Sequence, residues 1–497
     1  MDDTGLKDER NAHEGVVPLC VDLDGTLIRT DLLHEALITY VRSRLTAFIS
    51  IIGWLLRGRA ALKQGLASHV IPKVDYLPYR TDLIAFISAE RACGRPVHLI
   101  TASPQVWADA IAIHLNLFES VVGTTDGNLK GVAKSRLLVE RFGSKGFDYV
   151  GDHVADRAVW AEAVLAHGAG AKAAWLIAEQ PHSRRGILFN SGASARWRGL
   201  LKAMRPHQWS KNVLLFVSIA AAHRLLDLPA LLATGLAFIA FSLTASATYL
   251  VNDLLDLDAD RRHPRKRLRP FAAGSVPVAT GLVAIIVLFS IAGALCLLLP
   301  PLFTLMLAVY VITTLAYSFR LKRAALADVL TLAGLYTLRI LAGTAAAGIV
   351  ISSWLLAFSM FTFISLAIAK RCAELTGTTV EGGARIAGRG YYPSDLEVLG
   401  GMASASSFCA SLVLGIYTSQ SYVAERYASP ELLWLLCPIF IFILNRILIL
   451  ARRGQMDDDP IEFCTRDKLT LNLTILSACI VIAATFISID PRIISDG

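Results

Sequence analysis

Residues 252–274 read Asn-Asp-Leu-Leu-Asp-Leu-Asp-Ala-Asp-Arg-Arg-His-Pro-Arg-Lys-Arg-Leu-Arg-Pro-Phe-Ala-Ala-Gly, a run of carboxylates passing into a run of bases between two long apolar segments. On a helix that starts with Asn252, the carboxylates Asp253, Asp256 and Asp260 fall at i, i+3 and i+7 and share one face, while Asp258 points elsewhere. Carboxylates on one stripe repel each other unless a cation sits among them. A hard divalent cation such as Mg²⁺ takes oxygen ligands and usually keeps a substrate phosphate in its shell. Arg261, Arg262, Arg265, Lys266, Arg267 and Arg269 follow at once, and such a cluster suits further phosphate. Cytoplasmic loops of membrane proteins also favour Lys and Arg, which explains the bases but not the aspartates. Acids lining a membrane helix are costly and are functional candidates by default. The stretch therefore reads as a Mg–diphosphate site at a membrane surface.

The whole chain agrees with that setting. Of 497 residues 54% are apolar, and the mean hydropathy is +0.53, too apolar for one soluble fold. The distribution is uneven. Residues 1–200 have the composition of a water-soluble protein, and the remainder is a series of segments of about 20 apolar residues, the length that crosses a bilayer. The net charge of +8 lies largely in loops and a linker, which speaks for membrane orientation and against nucleic acid. Eight cysteines show no paired spacing, so neither a disulfide framework nor a zinc motif is expected. The first 17 residues are acidic and polar, unlike a cleavable signal peptide.

Nine apolar segments stand near 213–226, 229–251, 277–299, 301–318, 326–349, 353–370, 397–423, 431–450 and 469–489. With the soluble half in the cytoplasm, the loops 252–276, 319–325 (Arg320, Lys322, Arg323), 370–396 (Lys370, Arg371, Arg385, Arg389) and 451–468 (Arg452, Arg453, Arg466, Lys468) fall on its side. The alternate loops carry little beyond Arg224 and Arg426, so the positive-inside rule holds at each turn. The expectation is a multi-pass protein of the inner cell membrane with its N-terminus inside and its C-terminus outside. Three more features fall on the cytoplasmic face. Residues 204–212 (MRPHQWSKN) offer Arg205, Lys211 and an interfacial Trp209. Residues 316–323 (AYSFRLKR) bring Tyr317 and Lys322 to the end of the fourth segment. Asp328 opens the fifth, with Tyr336 and Arg339 at +8 and +11 on about the same helical face. An arginine that deep in a span needs a partner; an ion pair with Asp328 and a bound ligand both satisfy it.

The NDxxDxxxD run, the following RPxxxG (Arg269 to Gly274), the YSxxLK-like segment before Asp328 and the nine helices resemble the UbiA superfamily of intramembrane prenyltransferases, over about residue 200 to the end. The fuller pattern RPxQWxKN, NDxxDxxxDRxHPxKRxRPxAAG and YSxxLKR is most similar to the decaprenyl-phosphate phosphoribosyltransferase branch. That resemblance implies transfer of 5-phosphoribosyl from phosphoribosyl diphosphate to a polyprenyl phosphate with release of diphosphate. Ordinary superfamily members carry a second aspartate pair on the fifth helix. Here Leu332 stands at the matching place after Asp328, and Arg339 is offered instead, which suits an anionic acceptor or a sugar phosphate. Asp253, Asp256 and Asp260 would hold Mg²⁺. Lys266, Arg267 or Arg269 would neutralise the leaving group and the 5-phosphate, and Asn252, Arg205, Lys211, Tyr317, Lys322, Asp328 and Arg339 complete the candidates for binding substrate.

The soluble half has its own pattern. An apolar run from Val16 ends in Asp22-Leu23-Asp24-Gly25-Thr26; Val97-His98-Leu99-Ile100 ends in Thr101-Ala102-Ser103; Lys134 follows Gly131; and Phe147-Asp148-Tyr149-Val150 ends in Gly151-Asp152 with Asp156 beyond. Polar clusters at the carboxyl ends of successive strands are what an open α/β sheet needs to build a site. The set resembles the haloacid dehalogenase (HAD) superfamily of phosphatases over residues 16 to about 178. The resemblance implies Asp22 as nucleophile, Asp24 as acid and base, Thr101 or Ser103 with Lys134 on the phosphate, and Mg²⁺ among Asp22, Asp24, Asp152 and Asp156. Residues 31–95 would be a helical cap. Its apolar stretch Leu45–Leu56, flanked by Arg42, Arg44, Arg57 and Arg59, is too short to span a bilayer; it reads as cap core, or as an interfacial helix that meets a lipid substrate.

The expected architecture is thus two domains: a Rossmann-like α/β HAD domain at 1–178, a flexible basic linker at 179–200, and an all-α polytopic UbiA-like domain of about nine transmembrane helices at 201–497. The expected function is a bifunctional enzyme with one Mg²⁺ in each active site, both cytoplasmic: phosphoribosyl transfer to the polyprenyl phosphate, then removal of the 5-phosphate to give polyprenyl-phosphoryl-ribose for cell-wall arabinose donors. The rival reading is a prenyltransferase on an aromatic or porphyrin acceptor with a phosphatase for prenyl phosphates. The sequence leaves prenyl length and homo-oligomerisation open.

Overall fold

The computed structural model describes residues 16–43, 46–125, 129–179, 184–189, 193–377, 390–424, 426–456 and 459–487; Arg44, Arg385 and Arg389 lie outside these. The chain forms two compact units, one of residues 1–206 with 249–287 and one of 207–248 with 288–497.

In the first unit, β1 (Leu19–Val21), β2 (Val97–Pro104), β3 (Ser120–Thr124), β4 (Asp148–Gly151), β5 (Leu165–Ala169) and β6 (Arg184–Phe189) form one sheet in the order β3-β2-β1-β4-β5-β6, parallel throughout. β1, β2 and β4 are short and almost wholly buried, as parallel strands covered on both faces must be. Strand order reverses at β1, which lies between β2 and β4, and ligands of open α/β sheets bind in the crevice beyond the carboxyl ends there. The polar clusters at 22–24 and 152–156 follow the ends of β1 and β4, and 101–103 forms the carboxyl-terminal part of β2 beside them.

Helices α1 (Leu32–Ser43), α2 (Ala47–Leu56) and α3 (Arg59–Ala67) make the cap. α4 (Thr81–Ala92), α5 (Gln105–Leu115), α6 (Val132–Phe142), α7 (Arg157–Trp160) and α8 (Ala173–Ala178) belong to the α/β layers. Leu32, Tyr40, Ile51 and Leu66 of the cap share one core with Leu19, Val21, Leu99 and Val150 of the sheet. The expected linker at 179–200 is corrected by the structure. β6 is a parallel edge strand on β5 whose Phe189 is buried against Phe86, ring centroids 5.4 Å apart, and α9 spans Ala193–Met204. An edge strand needs backbone hydrogen bonds on one side only, so the short apolar run Ile187-Leu188-Phe189 behind two arginines and a glycine is enough to make one.

The remaining helices are α10 (Val217–Ala221), α11 (Leu228–Leu255), α12 (Leu257–Arg262), α13 (Val278–Cys296), α14 (Pro301–Phe319), α15 (Ala327–Ala346), α16 (Ser353–Thr376), α17 (Leu396–Thr418), α18 (Ser421–Ala424), α19 (Leu436–Arg452), α20 (Pro460–Arg466) and α21 (Lys468–Phe486). Among the described residues, eight helices are long and apolar enough to cross a membrane: α11, α13 to α17, α19 and α21. The segment expected at 213–226 is not one of them. Residues 206–216 form 3-10 turns leading into the five-residue α10. Side chains fix this irregular path: Trp209 Nε1 donates to Ser246 Oγ (2.9 Å) and Asn212 Nδ2 to Ser242 Oγ (2.9 Å). Its backbone also presses on α15 at Gly343, where a Cβ would collide with the Leu215 carbonyl. Gly343→Leu is therefore expected to destabilise this unit by about 3 kcal/mol, the upper range for forced overpacking, seen as a lowered thermal midpoint in detergent; an unchanged midpoint contradicts it. The expected loop 370–396 also begins later, because α16 continues to Thr376 and takes Lys370 and Arg371 into the helix.

Candidate functional site

The crevice of the first unit gathers the HAD-type residues. Asp22, Asp152 and Asp156 place carboxylate oxygens within 4.8 Å of one another. Lys134 Nζ donates to Asp22 Oδ1 (2.8 Å) and to the Tyr149 hydroxyl (2.9 Å), and Tyr149 donates on to Asp156 Oδ1 (3.0 Å). Asp156 Oδ2 accepts from the amides of Asp152 and His153 (3.1 and 2.9 Å), which fixes the loop after β4. Asp24 accepts from the Leu32 amide (2.9 Å) and from Ser103 Oγ (2.5 Å). Thr101 Oγ1 accepts from the Ser103 amide (3.1 Å). Gly25, at φ +74°, leaves no room for a Cβ beside the Asp152 carboxylate, so the turn after β1 requires glycine.

Electrostatics set these carboxyls apart. Burial, then the charge of Asp31, pushes Asp24 up to about 7, a value that suits an acid and base working near neutrality. Burial raises Asp22 as well, against the pull of Lys134. Burial with the charges of Asp22 and Asp156 holds Asp152 well above the carboxylate range, and Arg80 offsets only part of this. Lys134 stays above its ordinary value although burial opposes its charge, because Asp22 and Asp156 face it. The pocket is thus short of positive charge, and its all-oxygen donor set fits a hard divalent cation.

Two residues here were not singled out from the sequence. Lys63 reaches from α3 to donate to the Ala102 carbonyl (2.7 Å), and Arg80 Nη2 donates to the Gly25 carbonyl (3.1 Å). Nothing in the pattern around either marks it; only the return of the cap over the strand ends brings them in.

The acidic segment at 252–274 belongs to the same unit. α11 ends at Leu255, yet the Asp256 amide donates to the Asn252 carbonyl (2.9 Å) and the Asp260 amide to the Asp256 carbonyl (2.8 Å). The helical register therefore runs on, as the i, i+3, i+7 spacing requires. The cation between Asp253 and Asp260 is Arg269, with Nη1 at 3.3 and 2.6 Å from them. Arg205, stacked over the Tyr249 ring, also donates to Asp253 (2.6 Å). Burial raises the Asp260 carboxyl, and Arg269 opposes the shift. Lys266 and Arg267 stand exposed on a 3-10 turn.

Arg261 is a correction: read as a phosphate candidate, it is buried and holds both oxygens of Glu35 on α1 (2.7 and 2.5 Å), with Nε on the Ala272 carbonyl (3.2 Å). Lys73 pairs with Asp258 (3.0 Å), Arg42 lies 4.0 Å from Asp256, and Arg262 covers the Tyr76 ring. The acidic segment thus docks on the cap. Glu35 stands in the sequence as one acid among the apolar residues of α1, and only the fold shows that it is buried against Arg261.

In the second unit Asp328 is fully buried and pairs with Arg371 Nε (2.6 Å), with the Tyr391 hydroxyl donating to its other oxygen (2.5 Å). The ion pair of Arg339 with Asp328 is therefore not formed. Arg339 instead donates to Asn212 Oδ1 (2.9 Å) and the Leu335 carbonyl (2.7 Å) among the rings of Phe241, Tyr310 and Tyr336. Arg371 also donates to the Tyr317 hydroxyl (3.0 Å). Lys211 is buried on Asp459, with Lys370 3.7 Å from the same carboxylate. Lys322 sits half-buried on the 3-10 turn before α15. Arg371 and Asp459 were missed because both read as ordinary loop charges.

Two domains, one a polytopic helical bundle of transferase type and one a parallel α/β hydrolase, define the class. Residues 213–458 match the UbiA prenyltransferase family and residues 19–178 the haloacid dehalogenase-like hydrolases. The chain is 40% identical over 459 residues to the uncharacterized protein y4nM of Sinorhizobium fredii, covering 91% of this chain and 88% of that one. It is 34% identical over 273 residues to the nodulation protein NoeC of Azorhizobium caulinodans (54% and 88%). It is also 34% identical over 231 residues to a decaprenyl-phosphate phosphoribosyltransferase of Corynebacterium glutamicum (45% and 68%). The protein belongs to the UbiA prenyltransferase family, carries a haloacid dehalogenase-like domain at its N-terminus, and is a multi-pass membrane protein.

Proposed function

We propose that the protein is a bifunctional Mg²⁺-dependent enzyme that builds a lipid-linked ribose. The observation that carries this reading is the pairing, in one compact unit, of a phosphatase-type carboxylate pocket with the acidic and basic segment 252–274, together with the similarity to a phosphoribosyltransferase. Departure of diphosphate from the anomeric carbon of phosphoribosyl diphosphate breaks the C1–O bond, and an oxygen of the polyprenyl phosphate forms the new one. No general base is required, since the acceptor is already anionic. Arg269, Lys266 and Arg267 neutralise the departing diphosphate and the 5-phosphate, and Asp253, Asp256 and Asp260 would hold the cation. Arg339, Lys211, Asn252, Arg205, Tyr317, Lys322 and Asp328 are the candidates for orienting the two substrates.

In the second reaction Asp22 attacks phosphorus and takes the phosphoryl group as an aspartyl-phosphate. Asp24 gives its proton to the leaving 5-oxygen, then withdraws one from the water that releases phosphate. Lys134 and Thr101 or Ser103 steady the phosphoryl oxygens. Asp22, Asp24, Asp152 and Asp156 would hold Mg²⁺, which when bound supplies the positive charge this pocket lacks. Tethering the two activities raises the local concentration of the shared intermediate without any new contact. Both sites are assigned to the cytoplasmic face, because the basic alternate loops, 252–276 among them, fall inside by the positive-inside pattern and residues 1–206 share one compact unit with 249–287.

The test is to supply purified protein with Mg²⁺, labelled phosphoribosyl diphosphate and a polyprenyl phosphate, and to follow the lipid fraction by mass. Label is expected in lipid with wild type and lost with Asp253→Asn. No label in lipid from the folded wild type overturns the reading and moves attention to prenyl transfer onto an aromatic acceptor.

A further inference from the structure

Helix α2 is apolar on every side, although it belongs to the cap of an α/β domain. Ala47, Ile51 and Trp54 recur at i, i+4 and i+7 and turn inward. Ala47 and Ile51 are buried, and Trp54 stands between Tyr40 and His69, ring centroids 5.3 and 5.5 Å away, over Gly65. That side is cap core. The other side carries Phe48, Ile49, Ile52, Leu55 and Leu56, which are 62, 75, 57, 50 and 84% exposed. A helix hydrophobic all round belongs in a core or in a membrane, and a contiguous exposed apolar patch marks an interaction surface. Exposed Arg42 and Arg57 stand before and after it.

The chain itself argues for a bilayer as the partner. The last turn of the span α11, from Tyr249, lies in the same compact unit as the cap, so this unit contains the end of a membrane span. A second helix of the unit repeats the chemistry: α9 exposes Trp197 and Leu201, one turn apart, among exposed Arg196, Arg198 and Lys202. Exposed apolar side chains rimmed by arginine and lysine are the signature of helices that lie in the headgroup layer and are drawn to anionic lipid.

We propose that the outer face of α2 docks in the headgroup layer of an anionic bilayer and holds the phosphatase cap there, so that the pocket receives phosphate monoesters carried by a lipid. α2 and α3 move as one piece, because Trp54 fills the space over Gly65, and α3 carries Lys63 to the strand ends of the pocket. The docking itself is independent of the transfer reaction; the lipid-borne monoester as substrate rests on the function proposed above.

The experiment uses the full chain in nanodiscs of mixed phosphatidylglycerol and phosphatidylcholine. A benzophenone amino acid is placed by amber suppression at Ile52, or at Ile113 of α5, which is 80% exposed and serves as control. Irradiation is expected to yield phospholipid adducts at 52 and none at 113. Adducts at 52 with a second copy of the chain, or no adduct, overturn the docking. In the same discs, Ile49→Ser/Ile52→Ser/Leu56→Ser is expected to hydrolyse a lipid-anchored phosphate monoester about tenfold more slowly, one step of 1.4 kcal/mol in effective affinity, with a soluble monoester turned over as in wild type. Equal turnover of the anchored substrate by variant and wild type overturns the selection of lipid-borne monoesters even where docking holds.

Discussion

Asp22→Asn protein, given phosphoribosyl diphosphate and a polyprenyl phosphate, is expected to stop at the lipid-linked ribose 5-phosphate, whereas wild type proceeds to the lipid-linked ribose. Asparagine fills the same volume and still accepts a hydrogen bond from Lys134, but it is no nucleophile toward phosphorus. Loss of a nucleophile from a catalytic constellation costs on the order of 10⁴-fold or more in turnover, so hydrolysis falls to background. Folding changes little in comparison, because burial already holds the Asp22 carboxyl above its ordinary range and Asp152 and Asp156 remain. The transferase rate serves as the internal control. Mass analysis of the lipid fraction separates the outcomes: an added phosphate in the variant alone assigns the second step to this pocket. The same dephosphorylated lipid from both proteins takes that step away from it. Chelation of divalent cations is expected to stop wild-type hydrolysis too, and restoring Mg²⁺ to recover it, since the pocket's carboxylates are under-compensated by Lys134 and Arg80.

How much of this was legible in the sequence depended on how local the signal is. β1, β2 and β4 show as apolar runs closed by acids or hydroxyls, and their strand ends meet because the sheet order reverses at β1. The spacing of Asp253, Asp256 and Asp260 is a periodicity of the helix, and the backbone register runs on past Leu255, although among the described residues only Asp22, Asp152 and Asp156 bring three carboxylates within 4.8 Å of one another. What was missed is tertiary. Arg371 lies in a stretch that looks like the start of a loop, and only the continued packing of α16 makes it the buried partner of Asp328. β6 looked like linker because an edge strand asks little of its side chains. The 213–226 segment reads as a span because its apolar residues are frequent, but Trp209 and Asn212 just before it bond to α11 and hold the chain in 3-10 turns as far as Phe216. Arg261 illustrates the same limit. Six bases close together look alike in sequence, and the partner that separates one of them, Glu35, lies 226 positions away.

Glu35→Gln is expected to produce a large loss of stability in this unit. Glu35 and Arg261 have side chains only 8 and 5% exposed, and both carboxylate oxygens receive a guanidinium nitrogen. Removing one partner of a buried pair leaves the other as an uncompensated buried charge, at about 3–5 kcal/mol. That is a large part of the 5–15 kcal/mol, roughly, that holds a domain folded. The loss should appear as a lowered unfolding midpoint of the full chain. Replacing the whole pair by Glu35→Leu/Arg261→Met should recover most of it, since a well-packed apolar substitute for a buried ion pair is often neutral or stabilising. The two variants then part company on activity. Arg261 lies next to Asp260, and its Nε holds the Ala272 carbonyl, so the pair clamps the acidic segment at both ends of its basic run. If the clamp positions Asp253, Asp256 and Asp260 for the transfer step, the stable double variant should transfer phosphoribosyl with a lowered kcat while hydrolysing a soluble monoester normally. Wild-type transfer by the double variant limits the pair to a structural role, and an unchanged midpoint in Glu35→Gln shows that Arg261 finds compensation elsewhere.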